Sequence, residues 1–593
     1  ILRCVLRSGE TPELRTANSQ FPIPNSQFPI WNNELYLELH RGCYTNHADQ
    51  KRWNRLCEGL LYQAELLASL ATIIAGTAYP QQQLEDAWKK VLFNQFHDIL
   101  PGTSIPEVFV EANAAWQAVE RVGSAILETS LNAIASQVTL PSPPHPDAQA
   151  IFVFNPLNWQ RRELVAVTLP NSANRNWSIC DLAGEKIPSQ FSGEEELLFL
   201  ARDIPSIGYR VFWLCPTPHP VGAKGLSPLP MAVQPEIDVS SEDFVLENDM
   251  LRVVVDPKTG DLSRVFDKRH QRDVLNGAGN QLQAFEDSGQ YWDAWNIDPN
   301  YAQHPLPPTQ LRSIEWIERG SLRSRLRVVR QLGQSQFCQD YWLAADLPVL
   351  KIATTVDWQE RHVLVKAAFP LNLEANCATY EIACGAIDRP TRPQTPAEKA
   401  KWEVCGLRWA NLGDEDYGVS LLNDCKYGYD AQPSQLRLTL LRGSTWPDPD
   451  ADFGIHRFTY ALYPHQGSWQ AAGTVHRGYE LNLPLLVQLS SPVETENKSL
   501  PPVACLLDLQ AENLILMALK RSEDNSEAWI LRCYECVGES VDATLTSEVG
   551  LSLTDTVDLL ERSTQSLKVS GNRQSFLVPP WRVASFLVKV DGV

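Results

Sequence analysis

The sequence predicts an α+β multidomain chain: an antiparallel three-helix bundle followed by large antiparallel β-sandwich domains. Two patterns carry that expectation. From about Ala48 to Val138 the apolar residues recur three and four apart, the stripe of amphipathic helices. Beyond the proline-rich stretch Pro141-Ser-Pro-Pro-His-Pro146 the pattern changes to alternating, β-branched runs separated by turn residues, as in antiparallel sandwiches.

In the helical part, Trp53, Leu56, Leu60, Ala64, Leu67 and Ala71 mark a first helix, which Tyr79-Pro80 interrupts. Leu84, Trp88, Val91 and Phe96 mark a second, expected to run to a corner at His97-Asp98 because Pro101 and Gly102 stop it. Ser104-Ile-Pro-Glu107 has the form of a capping box with proline in the first turn. Behind it Val108, Ala112, Ala115, Val119, Val122 and Ile126 mark the third helix. Short connections imply antiparallel neighbours, and the stripes are core positions.

In the second part, Ala148–Asn155, Leu251–Asp256, Ser324–Arg330, Leu436–Leu441 and Ser575–Val578 read as strands. Asp256-Pro-Lys-Thr-Gly260 reads as a turn between two of them. The expected division is a low-complexity linker or extension over 1–32 and the end of a preceding α/β domain over 33–47. The helical unit follows over 48–140, a large β-sandwich region over 147–490 and a small β domain over 500–593. Residues 1–32 carry a tandem copy, Asn18–Ile23 and Asn25–Ile30, too short for a solenoid and more like an extended linker. With the start at Ile1, this suggests the back part of a larger protein.

The 593 residues are 44% hydrophobic and 21% charged, a composition that builds cores. The net charge is −20, with 71 acidic against 51 basic residues, which argues against nucleic acid as a partner. Thirteen cysteines without a repeating spacing suggest reduced thiols and a cytoplasmic protein. Cys533 and Cys536, three apart on an expected strand, face opposite sides and make no zinc set. No uninterrupted apolar run reaches about 18 residues, so no membrane span is expected.

Asn94-Gln-Phe-His-Asp-Ile-Leu-Pro-Gly-Thr-Ser104 places a potential metal ligand beside a carboxylate where a helix stops. Alone, such a pair is an ordinary solvated helix end. The stretch resembles the zinc-site segment of the glycoside hydrolase family 38 α-mannosidases, and further resemblances follow in family order. They are Asn33-Glu-Leu-Tyr-Leu-Glu-Leu-His-Arg-Gly-Cys-Tyr-Thr45, Glu286-Asp-Ser-Gly-Gln-Tyr-Trp-Asp-Ala-Trp-Asn-Ile-Asp298, Leu421–Asp430, Ser444-Thr-Trp-Pro-Asp-Pro-Asp450 and Tyr460–His465.

The resemblance implies a zinc-dependent, retaining exo-glycosidase acting on mannose-containing oligosaccharides, whose two carboxyl groups stand ~5–5.5 Å apart. It implies that His97 is one zinc ligand and that Asp98 binds the sugar or orients His97. Glu38, His40, Arg41 and Tyr44 match a segment bordering the pocket, and strand alternation would put Glu38 and His40 on one face. Tyr291, Trp292 and Asp293, with Trp295 and Asp298, are candidates for a sugar-facing loop, since aromatic faces suit pyranose CH patches. Burial in a sandwich core is the competing reading of those aromatics. Asn423, Asp424, Lys426 and Tyr427 read as a structural turn at a domain interface.

The family's early zinc motif, nucleophile and acid/base have no counterpart here, and residues 1–32 contain neither His nor Asp. One histidine does not hold zinc. The chain alone is therefore expected not to hydrolyse mannosides and to need a separate N-terminal catalytic chain; a homo-oligomer is also compatible with the sequence. The alternative is an inactive remnant or carbohydrate-binding scaffold. In either case the helical unit is expected to expose an apolar face.

Overall fold

The computed structural model describes residues 34, 39–169, 177–193, 195–217, 244–288, 291–490, 499–524, 527–567 and 573–590. The tandem copy of 18–30 and Glu38 lie outside these residues.

Three helices follow the apolar stripes: α1 (Ala48–Ala75), α2 (Gln81–Asn94) and α3 (Pro106–Ser136). Cys57, Leu61 and Ala64 of α1, Leu84, Ala87 and Val91 of α2, and Ala112, Trp116 and Val119 of α3 share one core. Near the starts of α1 and α3, Gln50 meets Asn113 at 2.8 Å and the Trp116 indole at 2.9 Å. Near their far ends Leu66 and Leu70 pack with Leu131 and Ile134, so α1 and α3 run parallel. α2 runs back between them, and Gln95 just past its end donates to Asn54 and Glu58 of α1. α1 has the length and composition to cross a membrane, but 61% of its most apolar window is buried inside the protein.

Two local expectations fail in the linker between α2 and α3. α2 ends at Asn94, so His97 and Asp98 sit beyond the helix in tight turns closed by Ile99 N–H to Phe96 O (3.0 Å) and Gly102 N–H to Ile99 O (2.9 Å). The capping box does not form, because Ile105 is the N-cap of α3 and makes no side-chain cap bond. The Ser104 hydroxyl donates instead to the Asp98 carbonyl at 2.7 Å, closing the turn.

The rest of the chain is mainly antiparallel sheet. A nine-stranded sheet runs from the edge strand Gln310–Arg319 through Leu350–Trp358 and Gly454–Gln466 to Gly385–Pro390. It packs against a five-stranded sheet, with Val363–Pro370 and Gln435–Arg442 inside it, and a four-stranded sheet containing Leu251–Val255. Val328, Tyr341 and Ile352 meet Val365, Ala367 and Leu438 in that core. Asp256 accepts from Lys258 N–H at 2.7 Å, and Gly260 takes φ +76°, completing the expected turn.

The β region expected over 147–490 does not share a single core among the described residues. Gln149–Asn155 and Gly208–Pro216 belong to a separate sheet whose Ile151, Val153 and Phe212 pack on Val165, Val167 and Phe199 of a three-stranded sheet. Leu486–Ser490 and Val503–Cys505 both join that six-stranded sheet, so chain on both sides of the boundary expected between 490 and 500 serves one layer. Alternation identifies a strand; it does not say which sheet receives it. The last sheets, with Trp529–Glu535 and Val583–Val590, pack against the far ends of α1 and α3.

The helical layer is tied to the large sandwich at the start of α1. His47 precedes the helix in the left-handed region at φ 44°. Its backbone N–H and that of Ala48 donate to the Asp452 carboxylate at 2.7 and 2.6 Å, so a residue 404 positions away caps the helix. The His47 ring stacks on Phe109 at 3.7 Å and lies 3.4 Å from both Asp49 and Asp448. Burial alone would favour the neutral ring, but Asp448 and Asp49 outweigh it and raise the His47 pKa to about 9. The Asp49 carboxyl, which burial would raise, is held well below its usual range by His47.

A raised folded-state pKa stabilises fully below the unfolded value near 6.5 and is lost as pH climbs through about 9. The Tm advantage of the wild-type protein over His47→Gln should therefore be largest below pH 6.5 and narrow through pH 9, read by thermal unfolding across that range. A pH-independent difference would show that His47 acts by packing alone.

Candidate functional site

His97 projects from the α2–α3 turns with its side chain 77% exposed, its Nε2 3.6 Å from an Asp98 oxygen and its ring 4.1 Å from that of Phe96. Its turn is fixed from below. The buried Lys51 ammonium, whose pKa burial lowers to about 8, donates to the carbonyls of Asn46 (2.6 Å), Leu100 (3.1 Å) and Pro101 (3.4 Å). Asn46 Nδ2 donates to Gly102 O at 2.8 Å. Gly102 takes φ +80°, and a Cβ there would stand 2.7 Å from the His47 Cβ, so the close approach requires glycine.

The segment 39–47 connects this turn to an aromatic loop. His40 is not on a strand: it takes φ 73°, is exposed, and precedes the single turn Arg41–Tyr44. The alternation that would pair it with Glu38 therefore does not reach it. The His40 N–H donates to Asn296 Oδ1 at 2.9 Å, and the Gly42 N–H donates to Trp295 O at 2.8 Å. Arg41 is directed elsewhere, with Nε donating to Ala400 O at 2.7 Å and its guanidinium 4.7 Å from the centre of the Trp402 ring. Tyr44 is half-buried in the same turn.

On the aromatic loop Tyr291 is 73% exposed and Trp292 59% exposed. Trp446, from the neighbouring 444–452 loop, is 46% exposed and meets the ring of Trp292 at 5.1 Å and that of Trp295 at 5.5 Å. The expected sugar-facing role does not extend to Asp293. It is buried and accepts from Arg442 Nη2 at 3.0 Å and from Thr445 N–H at 2.6 Å, so its charge is spent inside the protein. Asp298 likewise bonds locally, accepting from Asn300 N–H at 2.9 Å.

Arg442 itself is fully buried. Its guanidinium donates to Asp287 and to the carbonyls of Asp293 (2.6 Å) and Asn296 (2.5 Å), which sets the loop's path. The sequence offered no signal for it, an arginine at the end of an apolar strand. Trp446 was visible in Ser444–Asp450 but was not distinguishable from a core tryptophan. His47, Asp448 and Asp452 gain significance only when the fold brings them together. Asn423 does fix a turn at the junction of layers, accepting from Cys425 N–H at 2.9 Å, while the Tyr427 hydroxyl accepts from Asn54 of α1 at 3.1 Å. Ser420 and His465, 3.1 Å apart, look like a nucleophile and base but are fully buried.

Among the described residues no group of three His, Cys, Asp or Glu is placed to hold a metal ion. The described residues therefore do not fit a complete zinc site, and His97 offers a single imidazole donor.

The fold defines a class: a helical layer and stacked antiparallel sandwiches that carry one histidine turn and one tryptophan loop, joined through the 39–47 segment. Three family models match in order. They are the alpha mannosidase middle domain over 38–134, the glycosyl hydrolases family 38 C-terminal domain over 246–450 and the family 38 C-terminal beta sandwich domain over 513–586. Alpha-mannosidase 2C1 of Mus musculus is 32% identical over 94% of this chain and 50% of its own length, and that of Homo sapiens is 33% identical over the same shares. A crystal structure of an alpha-mannosidase from Enterococcus faecalis V583 shares the fold, with TM-score 0.75 and 15% identity over 92% of this chain and 68% of that one. The chain belongs to glycosyl hydrolase family 38, carries its middle and C-terminal domains, and spans about half the length of the curated relatives it matches.

Removing the Arg442 guanidinium would leave Asp287 and Asp293 as uncompensated buried charges. Arg442→Met is expected to cost about 3–5 kcal/mol in urea unfolding. Gly42→Ala should also destabilise, because a Cβ would meet Ala294 O at 2.7 Å and Arg442 Nη1 at 2.8 Å. A variant as stable as wild type would show that the loop and the 39–45 segment are not packed this closely.

Proposed function

We propose that this chain is the middle and C-terminal part of a zinc-dependent α-mannosidase that removes terminal α-mannose from oligosaccharides, and that it presents His97, Asp98 and the pocket rim to a catalytic α/β half. The observation that carries the reading is the exposed apolar face around His97. Phe93 and Val110 are each 71% exposed, and Leu92, Phe96 and Ile105 are exposed beside them. A surface of this kind marks a partner site, and these residues flank in sequence the one that the family resemblance makes a metal ligand, with the Phe96 ring 4.1 Å from that of His97.

In this reading His97 would offer one imidazole to a zinc held chiefly by residues outside this chain, and Asp98 would bond the sugar or orient His97. The nucleophile, the acid/base and the remaining donors come from the half of the relatives that the match does not cover. His40 and Tyr44 would border the approach. The division at 1–32, 33–47, 48–140, 147–490 and 500–593 remains our reading of the domains, with the 147–490 region spread over several cores. Eleven of the described cysteines, all but Cys384, are free thiols, which supports a reducing, cytoplasmic setting.

The test is hydrolysis of 4-nitrophenyl α-mannoside with added zinc, by the purified chain alone and after co-expression with the N-terminal half of the mouse relative. The chain alone should be inactive and should self-associate. Co-expression should give activity that His97→Ala lowers at least about 100-fold. Hydrolysis by the chain alone that survives His97→Ala would overturn the reading. A monodisperse, inactive chain that ignores the added half would favour a binding scaffold.

A further inference from the structure

We propose that a pocket at the junction of the three-stranded and nine-stranded sheets binds a small oxyanion, a phosphate or carboxylate group, on Lys351 and Arg162. The site uses none of the residues around His97, and it stands or falls independently of the mannosidase reading.

The pocket has a volume of about 40 Å³. A water needs about 10–15 Å³ by that measure, so there is room for about three waters or one small polar group, and none for a sugar ring. Arg162 and Glu163 enter from the strand Arg161–Thr168, and Lys351 from the start of Leu350–Trp358. Arg477 and Glu480 enter from the helix Thr474–Asn482, and Leu422 supplies a buried apolar wall. Clefts between packed units, apolar on one side with a few polar groups on the other, are where small ligands bind. The walls are tied to one another. Arg161 Nη1 donates to Leu483 O at 2.8 Å, joining the first strand to the end of the helix. Arg202 of the three-stranded sheet pairs with Asp346, just before the strand that carries Lys351. The Gln190 side chain of the same small sheet accepts from Leu322 N–H at 2.9 Å and from Arg323 N–H at 3.1 Å.

The charges in this pocket do not cancel. Both carboxylates are engaged elsewhere. Glu163 Oε2 accepts from Arg161 Nη2 at 2.6 Å and from Leu485 N–H at 3.2 Å. Glu480 accepts from Arg477 Nη1 at 2.5 Å through one oxygen and from the Trp159 indole at 3.0 Å through the other. The half-buried Lys351 ammonium lies 4.7 Å from the centre of the Trp342 ring, and among the described residues it has neither a hydrogen-bond acceptor nor an ion-pair partner. Burial lowers its pKa; Glu163 and Glu480 oppose that from a distance, while Arg161 and Arg323 add to it. Arg162, exposed at the edge of the pocket, is likewise without a partner among the described residues. Three cations thus line the pocket against two carboxylates already bonded, in a chain whose net charge is −20. A cation drawn partly out of water without an acceptor is costly. An oxyanion between Lys351 and Arg162 supplies that acceptor through charge-assisted hydrogen bonds, and bridges strands of two different sheets.

The purified chain is titrated by calorimetry with inorganic phosphate and, separately, with acetate, at an ionic strength held constant with sodium chloride. At least one of them should bind saturably, one per chain, with a Kd on the order of millimolar. Tighter binding of phosphate assigns a phosphate-bearing ligand, and tighter binding of acetate a carboxylate. Lys351→Met should weaken binding about tenfold or more, the worth of one hydrogen bond to a charged group. Arg162→Gln should weaken it about threefold, as removal of an exposed charge does. Thermal unfolding without added anion establishes that each variant is folded. Arg162 is exposed and without a partner, so its variant decides the matter even where Lys351→Met does not fold. No saturable binding of either anion means a pocket filled by water alone and overturns the proposal. Binding that both variants leave unchanged is adventitious and overturns it as well.

Discussion

The candidate face depends on one buried guanidinium. Arg442 ends a strand of the five-stranded sheet and reaches under the 291–296 loop, where its planar fork meets the Asp287 and Asp293 carboxylates and the carbonyls of Asp293, Ala294 and Asn296. A charge removed from water this completely is tolerable only when paired and fully bonded. The loop therefore has little freedom to take another path. The constraint also propagates outward. Gly42 has no side chain because Ala294 O and Arg442 Nη1 occupy the space, and its N–H to Trp295 O bond positions the segment that leads into α1.

A second cluster extends this order to the helices. Asp452 caps α1 across 404 residues of sequence, while His47 joins Asp49 and Asp448 beneath Phe109. Trp446, Asp448 and Asp452 belong to one loop, so the loop that presents a tryptophan to solvent also holds the start of α1. Lys51, one turn into that helix, holds the turns carrying His97. The histidine and the aromatic corner are thus fixed to the same frame, by backbone bonds and buried charges and not by contact with each other.

The residues that sequence patterns picked out fared according to what each pattern measures. His97 and the aromatic pair Tyr291 and Trp292 are exposed, as a solvent-facing or substrate-facing role requires. Asp293, adjacent to them in sequence, is buried, because a motif gives the order of residues and not the direction in which each points. The capping box at Ser104 and Glu107 was well formed as a pattern. It lost to a turn in which the same hydroxyl bonds the carbonyl of Asp98. A serine offers one donor, and the competition between local partners is decided by the path of the chain.

By itself the sequence determined that helices come first and antiparallel strands follow, because apolar periods of 3.6 and 2 residues are local properties of the chain. It also determined the family, since long matches in a fixed order are written in one dimension. The tertiary structure decided which sheet each strand joins, that 147–490 is spread over several cores, and that Arg442, His47, Asp448 and Asp452 are the groups holding the candidate site. Those pairings span from about 150 to more than 400 residues of chain. No local period encodes a partner at that distance, and only burial beside it converts an ordinary charged residue into a structural constraint.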